Sequence, residues 1–155
     1  MISGLHHVAI HVEDMDRMLT FYRDLLGFEV IMEQDAEGEK LEELVQIPQS
    51  RLRGVLLRIG RPRPGDSQTL ELIQYYTPKP RKLDRALPDV GTMHIAFFAD
   101  DVPAVYEKLK AAGVPFNCPP QHYTSGPLAG WTITYLQDPE GNTLELVGVD
   151  GVSAG

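Results

Sequence analysis

Two glutamates sit in near-identical apolar frames, Glu71 in Thr69-Leu70-Glu71-Leu72-Ile73 and Glu145 in Thr143-Leu144-Glu145-Leu146-Val147. Side chains alternate between the faces of a strand, so leucines that point into a hydrophobic layer send the intervening carboxylate to the other side. A lone strand glutamate is usually a solvated charge. The same arrangement written twice makes Glu71 and Glu145 a candidate pair of ligands.

The elements that must position them follow from periodicity. Residues 5–12, LHHVAIHV, put Val8, Ile10 and Val12 on one face and His7, Ala9 and His11 on the other, which predicts strand one. Asp14 then caps a helix with apolar positions Met15, Met18, Leu19, Tyr22, Leu25 and Leu26, stopped by Gly27. Residues 28–32 and 54–59 are the next strands, and 69–75 is the strand carrying Glu71. Residues 33–43 are acidic and polar and are expected as a loop, with one helical turn near 41–45. After a proline-rich linker the plan restarts. Residues 93–99 form a strand with His94, and Asp101 caps a helix with Pro103 in its first turn and Gly113 at its end. Residues 114–117 are expected as a short strand. Residues 131–137 and 143–147 form a hairpin around Asp138-Pro139-Glu140-Gly141-Asn142, where Pro fixes φ and Gly supplies φ > 0.

The expected class is therefore α+β, two tandem βαβββ modules at 1–76 and 92–149, with a linker at 77–91 and a tail at 150–155. His7 matches His94 on the first strands, and Glu71 matches Glu145 on the last. Sheets with a helix on one face leave the other face for a partner or ligand, so two of them would make a cupped cleft lined by these four residues.

With 155 residues and net charge −8, the chain can bury a sizeable core, and neither nucleic acid nor an anionic membrane is expected as a partner. No apolar run approaches the ~20 residues of a membrane span. The single Cys118 cannot bridge within the chain, and no signal segment is recognised, so a reducing cytoplasm is expected. Cys118 is read as a small packing residue rather than a catalytic thiol.

HVAIHVEDMDRMLTFYRDLLGF, LELIQY, MHIAFFADDVPAVYEKLKAAGV and LQDPEGNTLELV, in that order, resemble the vicinal oxygen chelate superfamily. It includes glyoxalase I, methylmalonyl-CoA epimerase, extradiol dioxygenases and the bleomycin and fosfomycin resistance proteins. The resemblance implies paired βαβββ modules, a homodimer, a small-molecule substrate, and one divalent metal held by His7, Glu71, His94 and Glu145. Two imidazoles and two carboxylates without a thiolate suit Ni, Zn, Co, Mn or Fe and leave positions for water or substrate oxygens.

Such a site suggests a lyase or isomerase of the glyoxalase I or epimerase type, in which a carbonyl or carboxylate compound loses an α-proton and the metal stabilises an enediolate. The resemblance to glyoxalase I makes Glu145 the first choice of base; Glu71 is second, or a ligand alone. In glyoxalase I an Arg four residues after the first ligand and an Asn four after the strand-four glutamate grip glutathione. The matching residues here are His11 and Tyr75, which argues against glutathione. Methylmalonyl-CoA epimerase is similar in length and helix pattern, but its second catalytic glutamate lies on strand three, where RGVLLRI has none.

His11 is either a substrate contact or a rim residue, and Tyr75, Phe98, Trp131 and Tyr135 either line an apolar substrate cavity or belong to the core. Arg51, Arg53, Arg58, Arg61 and Arg63 either bind a distant phosphate or carboxylate or oppose the acidic 33–43 stretch, the latter being favoured. Two rival functions stand beside the leading one. The first is an Fe(II) extradiol-type dioxygenase on His7, His94 and Glu145, against which Glu71 counts as a fourth ligand. The second is a metal-free ligand-binding protein of the bleomycin-resistance type.

Overall fold

The computed structural model describes residues 1–60, 68–84 and 86–152. The chain divides into two compact units, Met1–Leu83 and Asp84–Gly155. In the first, β1 (Val8–His11) is followed by α1 (Met15–Leu19), β2 (Glu29–Glu37), α2 (Glu39–Val45), β3 (Arg51–Arg58) and β4 (Thr69–Thr77). The sheet order is β1-β4-β3-β2, with β1 parallel to β4 and the other pairs antiparallel. In the second, β5 (His94–Phe98), α3 (Val102–Ala111), β6 (Gln121–His122), β7 (Trp131–Gln137) and β8 (Thr143–Val149) give the order β5-β8-β7-β6, with β5 parallel to β8. Each unit is a βαβββ module.

Register fixes which side chains share a face. Leu70 and Leu72 align with Val8 and Ile10 on one side and with Leu57 and Val55 on the other. Leu70, Leu72, Leu57 and Val55 are fully buried, as are Met18 and Tyr22 of the helical segment, and α1 lies against β4. In the second unit Leu144 aligns with Ile95 and Leu136, and Val102 and Leu109 of α3 are buried, with α3 in contact with β7 and β8. Fully burying such a side chain contributes about 1.5–3 kcal/mol, so the leucine frames fix the strands and the glutamates between them face away from the helix.

Both helices start the same way. Asp14 accepts from the Arg17 amide at 3.1 Å and Asp101 from the Ala104 amide at 2.9 Å. Their docking differs. The Gln74 side chain on β4 accepts from the Met15 amide and donates to the Glu13 carbonyl. The matching position on β8 is Gly148, where a Cβ would stand 3.0 Å from Val102 Cγ2 and 3.3 Å from the Ala99 carbonyl oxygen.

Several elements differ from their sequence expectation. The helix after Asp14 is α-helical only to Leu19 and then a π-helical turn, Thr20–Leu25, which carries the adjacent buried rings of Phe21 and Tyr22. Residues 33–43 are not a loop. β2 continues to Glu37 because its acids meet arginines on β3, with Glu33 on Arg53 at 2.7 Å, Glu37 on Arg51 at 3.3 Å and Glu29 on Arg58 at 3.1 Å. A seven-residue helix, α2, follows. Residues 114–117 form only the Phe116–Leu136 bridge, and the edge strand is instead β6, beyond the Pro119-Pro120 pair, which offers no N–H to a ladder. No helix among the described residues is long and apolar enough to cross a membrane.

Candidate metal and proton-transfer site

The repeat is exact in register where the chemistry lies. Glu71 on β4 pairs with Ala9 on β1, two residues after His7; Glu145 on β8 pairs with Ala96 on β5, two residues after His94. In the first unit His7 Nε2 lies 3.1 Å from Glu71 Oε2, and in the second His94 Nε2 lies 3.0 Å from Glu145 Oε2. The glutamate side chains are 18% and 10% exposed and the histidines 38% and 44%, so each pair is a carboxylate set into the sheet beneath a more accessible imidazole. His7 precedes β1, which starts at Val8 rather than within residues 5–7.

The neighbours of the two carboxylates differ. Across the hairpin from Glu145 stands Tyr135, whose phenol hydrogen-bonds the carboxylate and whose ring meets His94 edge-on at 5.3 Å. Burial, then the Glu145 charge and hydrogen bond, hold the Tyr135 phenol above the usual tyrosine range. The residue across from Glu71 is the buried Leu56, and Gly54 leaves room beside it: a Cβ there would stand 3.5 Å from Glu71 Oε1.

Sequence reasoning missed His6. Its Nδ1 is 2.8 Å from His7 Nδ1, and the Thr69 hydroxyl donates to its carbonyl. With Nδ1 so engaged, Nε2 of His7 is the nitrogen turned toward Glu71. The His-His doublet was the available signal.

His11 and Tyr75 stack nearly parallel, 10° between planes and 5.8 Å between centroids. Both lie on the Glu71 side of their sheet, since His11 pairs with Ile73 and Tyr75 is four residues beyond Glu71. Phe98 and Trp131 lie on the Glu145 side, in register with Val147 and Val149. Phe98 is 64% exposed, so it is no core residue. Cys118 is exposed, and its carbonyl, which accepts from the Thr134 hydroxyl at 2.8 Å, is the group that is used. Arg51, Arg53 and Arg58 all pair with acids; Arg61 and Arg63 lie outside the described residues. A cavity of about 470 Å³ beside the start of α3, lined by Asp101, Val102, Thr132 and Gly148 among others, holds none of the predicted site residues.

The donor set fits a divalent ion. Within each pair the nitrogen–oxygen separation, 3.1 Å and 3.0 Å, is that of a hydrogen bond, and imidazole nitrogen and carboxylate oxygen are donor types that divalent ions take. No group of three or more His, Cys, Asp or Glu side chains able to hold an ion occurs among the described residues.

The chain belongs to the glyoxalase/bleomycin resistance protein/dioxygenase superfamily, whose family model matches residues 4–146. It is 33% identical over 147 residues to a protein of Actinomyces sp. named 2-epi-5-epi-valiolone epimerase, covering 93% of this chain and 78% of that protein. It is 29% identical over 144 residues to a probable chloroplastic lactoylglutathione lyase of Arabidopsis thaliana, covering 91% of this chain but only 34% of that protein, so it spans about a third of that relative's length. A crystal structure of a glyoxalase family protein from Bacillus cereus superposes with a TM-score of 0.80 over 97% of both chains at 19% identity, which shows the fold.

Proposed function

We propose that this protein is a divalent-metal-dependent lyase or isomerase of the glyoxalase and epimerase type, acting on a small carbonyl compound by moving an α-proton. The observation that supports this best is the His–Glu pair repeated at the same register in both units, His7 with Glu71 and His94 with Glu145. The residues that would hold the ion are His7, Glu71, His94 and Glu145. An ion of Ni, Zn, Co, Mn or Fe, when bound, polarises the substrate carbonyl as a Lewis acid.

The protein's own groups handle the proton. Glu145, seated in the sheet beside His94 and held by the Tyr135 phenol, takes the proton from the carbon next to the carbonyl. Delivery of that proton to the neighbouring carbon isomerises the compound. Delivery of a proton to the original carbon by the second carboxylate, Glu71, inverts that centre. The match to a protein named an epimerase, over most of both chains, supports the inverting outcome. The protein works as a cytoplasmic homodimer, which size-exclusion chromatography with light scattering checks.

Elemental analysis of protein purified without a chelating tag tests the reading. One equivalent of divalent metal, lost in His94→Ala and in Glu145→Gln, is expected, together with metal-dependent solvent-deuterium exchange on a carbonyl compound. Absence of metal after reconstitution with each of the five ions would overturn it in favour of a metal-free binding protein.

A further inference from the structure

Two glycines stand inside the described strands, and packing explains only one of them. Gly148 on β8 is denied a side chain by Val102 Cγ2, 3.0 Å from where its Cβ would lie. Gly54 on β3 meets nothing so close: the nearest atoms to a Cβ there are Glu71 Oε1 at 3.5 Å and Gln34 Cγ at 4.0 Å, both ordinary contacts. Its backbone does not ask for glycine either, because it lacks the positive φ of Gly27 or Gly38. The register shifts of β3 and its neighbours lie elsewhere, at Val30/Met32 and Arg51/Leu52. Glycine weakens a strand interior, and away from bulges and bends it often marks a place that another group needs to enter.

The group beside that gap is Glu71. Its Oε2 is turned to His7 and its Oε1 to the gap. Because β3 lies between β4 and β2, Glu71 stands on one flank of Gly54 and Gln34, in register with Gly54, on the other. The repeat shows what the gap changes. In the second unit Glu145 takes the place of Glu71, Ile133 that of Gly54 and Gln121 that of Gln34. There a branched side chain occupies the interval, Gln121 donates to the Pro119 carbonyl at 2.8 Å, and the Tyr135 phenol hydrogen-bonds Glu145. Across from Glu71 is Leu56, whose side chain can make no hydrogen bond.

We propose that Glu71 has two positions, one against His7 and a second over Gly54, where its carboxylate accepts a hydrogen bond from the Gln34 amide. Glu145, confined by Ile133 and Tyr135, keeps one. Gly54 and Gln34 are then positioning residues for Glu71. The proposal rests on the proton-transfer reading above and deepens it, since a carboxylate that both helps to hold an ion and hands back a proton needs a second place to go.

The test uses the full chain, metal-free and labelled with ¹³C and ¹⁵N, and reads the three-bond couplings across χ1 and χ2 of both glutamates, which report rotamer averaging. Glu71 should give values between the single-rotamer limits and Glu145 values at a limit, with a nuclear Overhauser contact from the Gln34 amide protons to the Glu71 γ-methylene. Gly54→Val, which fills the gap, and Gln34→Leu, which removes the donor at similar size, should each cut the share of the second rotamer about fivefold. The Glu145 couplings should stay unchanged in both variants. Should Gly54→Val fail to fold, the parent and Gln34→Leu decide the point, because Gln34 is exposed. Adding zinc to the parent should draw the Glu71 couplings to the limit of the His7-side rotamer.

Glu71 couplings at a single-rotamer limit in the parent, or unmoved by the variants, would overturn the two positions. Failure of zinc to bind would instead count against the metal-dependent reading alone, because the couplings of metal-free protein decide whether Glu71 moves.

Discussion

Tyr135 and Glu145 stand directly opposite each other on β7 and β8, phenol against carboxylate. Because burial and the adjacent charge raise the Tyr135 pKa above the ordinary value of 10.0, its proton is held more tightly in the folded chain than in the unfolded one. That contribution to stability is fully present below the unfolded value and is lost as pH rises through the folded value. Ultraviolet-difference titration of metal-free protein should show a late phenolate step that Tyr135→Phe removes, and the variant should lose less stability than the parent across that alkaline window.

Gly148 is confined by packing. Gly148→Ala would bring a methyl to 3.0 Å from Val102 Cγ2, and overpacking of this kind costs about 1–3 kcal/mol. Thermal unfolding should show a lowered Tm, partly restored in the double variant Gly148→Ala, Val102→Ala, because the second change removes the atom that clashes.

Arg53 ties α1 to the sheet, reaching Asp16 at 2.9 Å and Glu33 at 2.7 Å with its side chain only 22% exposed. Its pKa is raised, first by the hydrogen bond to Asp16. Arg53→Met should cost about 1 kcal/mol in urea unfolding, less at high salt, because both acceptors are on the surface side of the pair.

Asp138 is buried at the turn of the last hairpin, where Oδ1 accepts from the Glu140 and Asn142 amides and Oδ2 from the Asn142 side chain. Asp138→Ala leaves those donors without their acceptor and should cost about 2 kcal/mol. Amide hydrogen exchange at Glu140 and Asn142 should accelerate before that of the strands.

His6 engages the ring nitrogen of His7 that faces away from Glu71. On the proposal that His7 holds an ion, a hydrogen-bonded partner of this kind typically changes metal affinity by 10–100-fold, so His6→Ala should weaken metal binding about tenfold by calorimetric titration. Met93→Ala, at the matching place before His94, should leave it unchanged.

Much of this was legible from local pattern. The leucine frames around Glu71 and Glu145, the Asp14 and Asp101 caps and the Pro139–Gly141 turn each carry their physics within a few residues, and the repeat doubled every signal. The features that were not legible depend on partners far along the chain. Residues 33–37 are poor strand formers alone and become a strand through arginines on β3. The π-helical turn at Thr20–Leu25 keeps the apolar spacing of an ordinary helix, so periodicity does not reveal it. Tyr135, readable from the sequence only as a cavity or core ring, is set against Glu145 by the pairing of β7 with β8, whereas His6 was signalled locally by the His-His doublet.

The parallel pairings β1–β4 and β5–β8 set the order in which the chain can fold. β7 and β8 are joined by a five-residue turn and β3 and β4 by a modest connection, so the antiparallel hairpins close cheaply. Each histidine meets its glutamate only after a whole module has intervened, a contact of high sequence separation that carries the larger loop-closure entropy. The two His–Glu pairs are thus late products of folding rather than nuclei.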